Sequence, residues 1–391
     1  MELFDFHIMP YQWVNDHAWP FPNDKWDREK GSKLYKDYLN QLEYSDELGF
    51  DGLGVNEHHF SAYGLMPSPT IMASNLAART EDATIAFFAN VIPTRENPVR
   101  LAEEIAMLDN MTEGRIISGF ARGIPTEYAS WSVPMEESRD RFEEAWELIL
   151  KTWTADEPFD WDGEYWQYDN VYTWPRPYQE PHPQLWMPAE SEESLRWAAE
   201  REVGIGSVFN SPQEMREIFD EYREYANEEG NPVGDDKFTV SRTVYVAETD
   251  EKAAEEAREA LKYHYKNITA GVHKGATAWM MGDDEYDPEK EETYIENLHP
   301  HGELAWNFDF DEFADRGEVI VGSPETVAAE IERQYDVVGG FGRFAGQFTF
   351  GNLSHEKAIR NRELFADEVM PELRRMGQVT GGTAQTAGAD D

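Results

Sequence analysis

The stretch Asp51-Gly-Leu-Gly-Val-Asn-Glu-His-His-Phe60 decides how the rest of the chain is read. Leu53 and Val55, with two glycines and no charge after Asp51, make a short apolar run of the kind buried in a strand. The run ends in Asn56, Glu57, His58, His59 and Phe60, a polar cluster at the C-terminal tip of that strand. In parallel α/β folds, ligands sit at that tip. Residues 35–48 upstream read as a helix, with Leu39, Leu42 and Leu48 among acids, and Gly49 supplies the C-cap. The unit is therefore helix, turn, strand, then two histidines at a mouth.

The same unit recurs outward from this point. Before it lie a strand at 3–9 and a long aromatic loop with Trp13, Trp19, Phe21 and Trp26, the kind that serves as a lid. After it, Pro67-Ser68-Pro69 opens a helix to residue 79 with Ser68 as N-cap. A continuous apolar strand at 83–93 and a helix from Asn97-Pro98 to 111 come next. Gly114 to Gly123 carries another strand, and 135–153 an amphipathic helix with Phe142, Trp146 and Ile149 on one face. Residues 156–183 form an aromatic, proline-rich excursion. Strands at 184–188, 204–209, 238–247 and 343–350 alternate with helices opened by Ser191, Ser211-Pro212, Thr249-Asp250 and Ser323-Pro324, and a helix at 356–375 closes the series. Eight strands alternating with helices, with right-handed crossovers, predict a TIM-type (β/α)8 barrel with insertions, and a doubly wound sheet is the runner-up. One barrel spans 1–376. An insertion at about 269–317 carries Met280, Met281 and His299-Pro-His301, and 377–391 is expected to be disordered.

Composition narrows the function. No apolar run approaches the roughly 18 residues of a membrane span, and residues 1–9 carry acids without a basic region, so neither membrane nor signal peptide is expected. Cysteine is absent, which excludes disulfides, thiolate metal sites and a cysteine nucleophile. The net charge is −44, with 12 lysines against 22 arginines. Self-repulsion on that scale destabilises a compact chain in dilute buffer, whereas molar salt shortens the Debye length to about 3 Å. The acids are dispersed rather than gathered in one tail, which points to halophilic adaptation and a salt-rich cytosol. With no basic stripe to release counterions, nucleic acid is not expected as a partner.

Three groups of residues are candidates for chemistry. Adjacent strand residues face opposite ways, so only one of His58 and His59 can face the mouth, and no metal site is expected from the pair. As residues alone, the two read equally well as packed core histidines. Arg122, in Phe120-Ala-Arg-Gly123, and Arg139, in Met135-Glu-Glu-Ser-Arg139, suit a phosphate that accepts bidentate bonds, or else salt bridges in an acidic chain. Ala189-Glu190-Ser191-Glu-Glu-Ser194 begins a helix whose amides and hydroxyls could hold an anion, or form an ordinary N-cap. Gly340-Phe-Gly342-Arg-Phe-Ala345 mimics a dinucleotide fingerprint but follows a helix and precedes a strand, the reverse of the required order.

Together these stretches resemble the bacterial luciferase-like, flavin-dependent monooxygenase family. Residues Gly49 to Phe60 resemble its second strand. Val91-Ile-Pro-Thr with Asn97-Pro-Val-Arg-Leu-Ala-Glu-Glu104 and Leu108-Asp-Asn-Met-Thr-Glu-Gly-Arg115 is a second match. Gly119 to Gly123 with Met135 to Arg139, Ala189-Glu190-Ser191, and Gly322-Ser-Pro-Glu-Thr-Val327 complete it, in an acidic chain of haloarchaeal type. The resemblance implies a barrel binding reduced FMN at the strand tips, with Arg122, Arg139, Glu190, Ser191 and Ser194 around the phosphate and ribityl chain. Phe88-Ala89-Asn90 would lie against the isoalloxazine, near a non-proline cis peptide common in the family. His58 would be the catalytic histidine, managing protons around a flavin peroxide formed with O2. Trp13, Trp19, Met280 and Met281 would close the pocket. A separate flavin reductase, a small organic substrate and a homodimer are the family's expectations. Phe87 and Phe88 in place of small residues, Ser194 in place of threonine, and the insertion leave light emission and aldehyde use open. The alternatives are a superfamily relative using a deazaflavin for hydride transfer, and a non-catalytic flavin-binding subunit.

Overall fold

The computed structural model describes residues 1–14, 21–283 and 286–381. Its strands are β1 (Glu2–Phe6), β2 (Gly52–Val55), β3 (Thr84–Phe87), β4 (Ile116–Gly119), β5 (Phe159–Asp162), β6 (Gln167–Val171), β7 (Gln184–Pro188), β8 (Gly204–Ser207), β9 (Phe238–Val246), β10 (Val319–Gly322) and β11 (Arg343–Gln347). β1, β2, β3, β4, β7, β8, β9 and β11 pair in parallel in that order, and β11 returns to β1 to close a (β/α)8 barrel. β5 and β6 form an antiparallel hairpin outside it. β10 was not expected from sequence. It continues the edge beyond β8, pairing with Thr243–Val246 of β9, and its β-branched run Val319-Ile-Val321 was the available signal.

The glycines of the anchor stretch have a packing reason. β1 turns Phe4 and Phe6 into the barrel, where they meet Phe88, Ile117, Trp186 and Ala345. A Cβ on Gly52 would lie 2.4 Å from the Phe4 ring, and one on Gly54 would lie 2.5 Å from Phe88. Two glycines on one face of β2 therefore make room for two aromatic rings in the barrel interior. The alternate residues, Leu53 and Val55, face the helical shell.

The helices begin where the local chemistry allows. Asp27 caps Arg28–Glu47 through bonds from the amides of Glu29 and Lys30, and Asn97 caps Pro98–Met111. Ser211 and Glu214 form a capping box on Pro212–Glu228. Ser68 stands at the N-cap of Pro69–Ala77 but accepts no capping bond, and its hydroxyl meets Thr70 instead. The short helix Pro125–Trp131 was missed from sequence, although Pro125 at its first turn and Glu127 two residues on are start signals. The last helical run, from His355 to Gly381, passes through a π-segment at Phe365–Val369 and extends beyond residue 376. Residues 382–391 lie outside the described residues. The cis bonds among the described residues are Trp174–Pro175 and Glu180–Pro181, so the non-prolyl cis bond expected near Asn90 is not found. No helix among the described residues is long and apolar enough to cross a membrane.

The insertion is helical. After Asp250–Lys262 the chain passes through a π-segment, Tyr263–Thr269, into Ala270–Met280, then Glu291–Glu296, Pro300–Trp306 and Phe310–Asp315. It has its own apolar cluster, with Tyr265, Phe308, Phe310 and Phe313 against Tyr245 and Phe350. Lys274, 1% exposed, ties it together through an ion pair to Glu291 at 2.6 Å and a position over the Trp306 ring.

One buried ion pair joins the two ends of the chain, and a buried histidine is held within the N-terminal part. Arg362 on the closing helix donates to both Asp5 carboxylate oxygens, at 2.8 and 3.1 Å, with both side chains fully buried. His7 Nδ1 accepts from the Met9 amide, so the ring proton sits on Nε2, which donates to Gln41 Oε1 at 2.9 Å. Burial, reinforced by the Arg362 charge, pushes the His7 pKa down to about 4.

Replacing Arg362 with Met strands a buried carboxylate and lowers the unfolding free energy by about 3–5 kcal/mol, measured by denaturant titration. His7 is bound neutral when folded but takes a proton near pH 6.5 when unfolded. The stability it contributes is complete above about pH 6.5 and is lost as the pH falls towards about 4. The fall in Tm between pH 7 and pH 5 will therefore be smaller in His7→Gln than in the native chain.

Candidate active site

A cavity of about 440 Å³ opens at the C-terminal ends of the barrel strands. That is within the roughly 300–1,000 Å³ typical of small-molecule and cofactor sites. Phe6, Phe88, Trp186 and Ala345 form its apolar floor, and Ser241, Thr239 and Gln347 place polar groups in that floor. Trp186 is fixed by its indole N–H, which donates to Thr239 at 3.2 Å.

His58 lines this cavity and His59 does not. His58 Nδ1 meets Glu127 Oε1 at 3.1 Å, while Glu127 Oε2 accepts from the Ile124 amide at 2.9 Å. A carboxylate only accepts, so it selects the tautomer with the proton on Nδ1 and leaves Nε2 for the cavity. The ring of Tyr63 stands edge-on to His58 at 4.6 Å. Burial raises the Tyr63 pKa, with the charge of Glu127 adding to it, so the phenol stays protonated. His59 is turned the other way, and its Nε2 meets Glu57 Oε1 at 2.6 Å. Glu57 also accepts from the Val91 amide and from Arg95, which makes it the brace between the β2 and β3 tips.

Arg122, Arg139, Ser191 and Ser194 also line the cavity. Arg122 donates to Ser138 at 2.8 Å, and its Nε is a buried donor without a hydrogen-bond partner among the described residues. Arg139 pairs with Glu193 at 2.8 Å, an exposed side chain on the helix Glu192–Glu200. Ser191 caps that helix and its hydroxyl lies 2.9 Å from that of Ser194. Two guanidiniums, two hydroxyls and a helix N-terminus form a donor set for a phosphate dianion, and the orphaned Arg122 Nε fits such a ligand. Glu190 accepts from Ser207 at 2.9 Å and Asn210 at 2.8 Å, and its second oxygen faces His301 Nε2 at 3.6 Å.

The structure thus brings His58, Ala89, Arg122, Arg139, Glu190, Ser191 and Ser194 to one cavity. Asn90 is not on its wall: the side chain is buried and its amide donates to the Gly119 carbonyl at 3.1 Å, fastening β3 to β4. The expected lid residues also differ. Trp13 packs on Tyr11 and under Lys30, and Met280 and Met281 are exposed away from the lining. Trp19 lies outside the described residues. The insertion reaches the cavity through Thr269, Val272, His273 and His301 instead. Burial pushes the His273 pKa down to about 4, with His301 and His299 adding to the effect, and burial also lowers that of His301 against the pull of Glu190. Glu127, Tyr63 and Gln347 were not found from sequence, and the histidines were noted only as part of an insertion read as lying near the mouth or in an oligomer contact. Their only signal was residue type, because the contacts that bring them in are long-range.

A sequence model of the luciferase-like monooxygenases matches residues 18–340. The alkanal monooxygenase alpha chain of the Kryptophanaron alfredi symbiont is 26% identical over 348 residues, which span 88% of this chain and 94% of that one. The oxygenase component of the flavin-dependent trigonelline monooxygenase of Acinetobacter baylyi is 26% identical over 60% of this chain and 65% of its own. Among solved structures, the oxygenating constituent of 3,6-diketocamphane monooxygenase from Pseudomonas putida, in complex with FMN, superposes with a TM-score of 0.75 at 21% identity, covering 95% of this chain and 98% of that one. At that identity the likeness shows the shared barrel. The chain belongs to the luciferase-like monooxygenase family and is an enzyme of that kind.

Proposed function

We propose that the protein is an FMN-dependent monooxygenase that takes reduced FMN from a separate reductase and uses O2 to oxygenate a small organic substrate. One observation carries this reading. A single cavity is lined by a phosphate-type donor set, an aromatic floor and the His58–Glu127 pair. The oxygenase-component relative supports the separate reductase. The high density of acids favours work in a salt-rich cytosol.

In this reading Arg122, Arg139, Ser191 and Ser194 bind the phosphate, and Glu193 swings off Arg139 to admit it. Glu190 and Ala89 border the ribityl chain and the ring. Phe6, Phe88 and Trp186 keep water from the ring face, which strengthens every electrostatic contact inside. Reduced flavin, when bound, supplies the electrons that activate O2. His58, held by Glu127, gives and takes a proton at Nε2. The helical insertion covers the substrate side with Val272, His273 and His301.

The decisive test is rapid mixing of the anaerobic protein, loaded with reduced FMN in molar salt, with oxygenated buffer. A long-lived oxidation phase absent from free FMN is expected. His58→Asn should keep FMN binding and lose roughly 10²–10⁴-fold in substrate-coupled rate. Free-solution oxidation kinetics together with tight deazaflavin binding would replace this reading with hydride transfer. Separately, Arg122→Ala removes charge-assisted bonds of about 1.5–3 kcal/mol and should raise the FMN Kd roughly 10- to 150-fold, measured by fluorescence titration.

A further inference from the structure

Arg139 lines the cavity, and two carboxylates outside the lining hold its guanidinium. Nη2 meets Glu193 at 2.8 Å, and Nη1 lies 3.8 Å from Glu143, one turn on along the helix Ser138–Thr154. Glu193 is the second residue of the helix Glu192–Glu200 and lies between Ser191 and Ser194. It therefore reaches Arg139 from within the donor set proposed for the phosphate. Its side chain is 68% exposed, and Arg139 is its one ion-pair partner among the described residues. Burial raises the Glu143 pKa against the pull of Arg139, and the charge of Glu193 adds to that rise. Two carboxylates thus crowd one cation. A phosphate dianion that reaches Arg139 meets both. Glu193 makes the close contact and is the more exposed, so its release into water strands no buried charge.

We propose that Glu193 is a built-in competitor for the flavin phosphate. Its carboxylate and the phosphate exchange places on Arg139, and this exchange keeps FMN binding loose enough for the flavin to leave after each turnover. The proposal rests on the FMN-dependent monooxygenase reading. Under that reading, reduced FMN arrives from a separate reductase and oxidised FMN departs in every cycle. The phosphate is the same in both forms, so a firm grip on it would retain the oxidised cofactor as strongly as the reduced one. A tethered carboxylate relieves this, because it moves onto Arg139 as the phosphate loosens and needs no diffusion to get there. Apparent affinity falls with the fraction of Arg139 left open to the ligand. The competition concerns the phosphate alone, so a flavin without one should not sense it.

Glu192 supplies the control. It is the neighbouring residue on the same helix, 69% exposed, but its carboxylate pairs with Arg196 at 3.4 Å. Neutralising it changes the net charge by the same amount without touching Arg139.

The test uses the full chain in molar salt, with FMN, riboflavin and inorganic phosphate as probes. Glu193→Gln should lower the Kd of oxidised FMN roughly two- to five-fold, the worth of an exposed ion pair, and slow FMN dissociation by a similar factor. Fluorescence titration reads the first and stopped-flow displacement the second. Riboflavin affinity should not change, and Glu192→Gln should leave the affinity of FMN and of riboflavin at the native values. An unaltered FMN Kd in Glu193→Gln overturns the competitor. So does equal tightening of riboflavin, which marks a general change in the pocket, or equal tightening in Glu192→Gln, which marks net charge alone. A gain confined to the association rate overturns the role in release. If the native chain binds neither flavin, the FMN reading falls, while inorganic phosphate still decides the competition. Its Kd, read by phosphorus NMR, should fall in Glu193→Gln and not in Glu192→Gln, and an unchanged value overturns the exchange on Arg139.

Discussion

The Asp5–Arg362 pair is the contact on which the rest of the architecture depends. It lies where β1, the first helix and the closing helix meet, and its valences are completed by Ser45, Thr349 and the Ala358 carbonyl. A buried ion pair adds little net stability over an apolar substitute, yet a mismatch leaves an uncompensated charge in the core. The pair therefore acts on register. A closing helix displaced by a turn would carry Arg362 away from Asp5, while the barrel seam between β1 and β11 runs directly beside it. With that seam held, β2 follows in register with β1, and the tip that carries His58 stands over the barrel floor.

The same division between scaffold and site recurs around the mouth. On the outer layer, carboxylates brace strands and loops: Glu57 ties the β2 tip to β3, and Glu144 accepts from Trp161, Tyr165 and Trp166 to hold the β5–β6 hairpin. Inside, carboxylates orient other groups, Glu127 under His58 and Glu190 facing His301. In a chain with net charge −44, the two arginines at the proposed phosphate end concentrate positive charge in a low-dielectric space, where a dianion would be held most firmly. The insertion adds Thr269, Val272, His273 and His301 to the cavity lining, and its own core includes Tyr265, Phe308 and Phe313.

Much of this was legible in the chain. The order of barrel strands, Asn97 and Ser191 as caps, and Gly49 after its helix all follow from local rules; only one of His58 and His59 reaches the cavity, as expected, although both lie past the end of β2 and not on it. The placement of Arg122, Arg139, Ser191 and Ser194 was readable because each lies within three residues of a strand tip or helix start. β10 was hidden behind an insertion with no regular period, and Ser68 showed that a capping residue type does not guarantee a capping bond. Asn90 had the right position in the chain, but a hydrogen bond to Gly119 turns it away from the cavity.

The sequence by itself determined the alternation of strands and helices, their caps and the strand tips at which chemistry would gather, because those depend on side-chain period and on contacts within a few residues. Only the tertiary structure decided which groups face one another. His58 and Glu127 are 69 positions apart, and the histidines of the insertion reach the cavity only after several helices have packed. Such meetings are set by barrel closure and helix packing, and no local pattern encodes them.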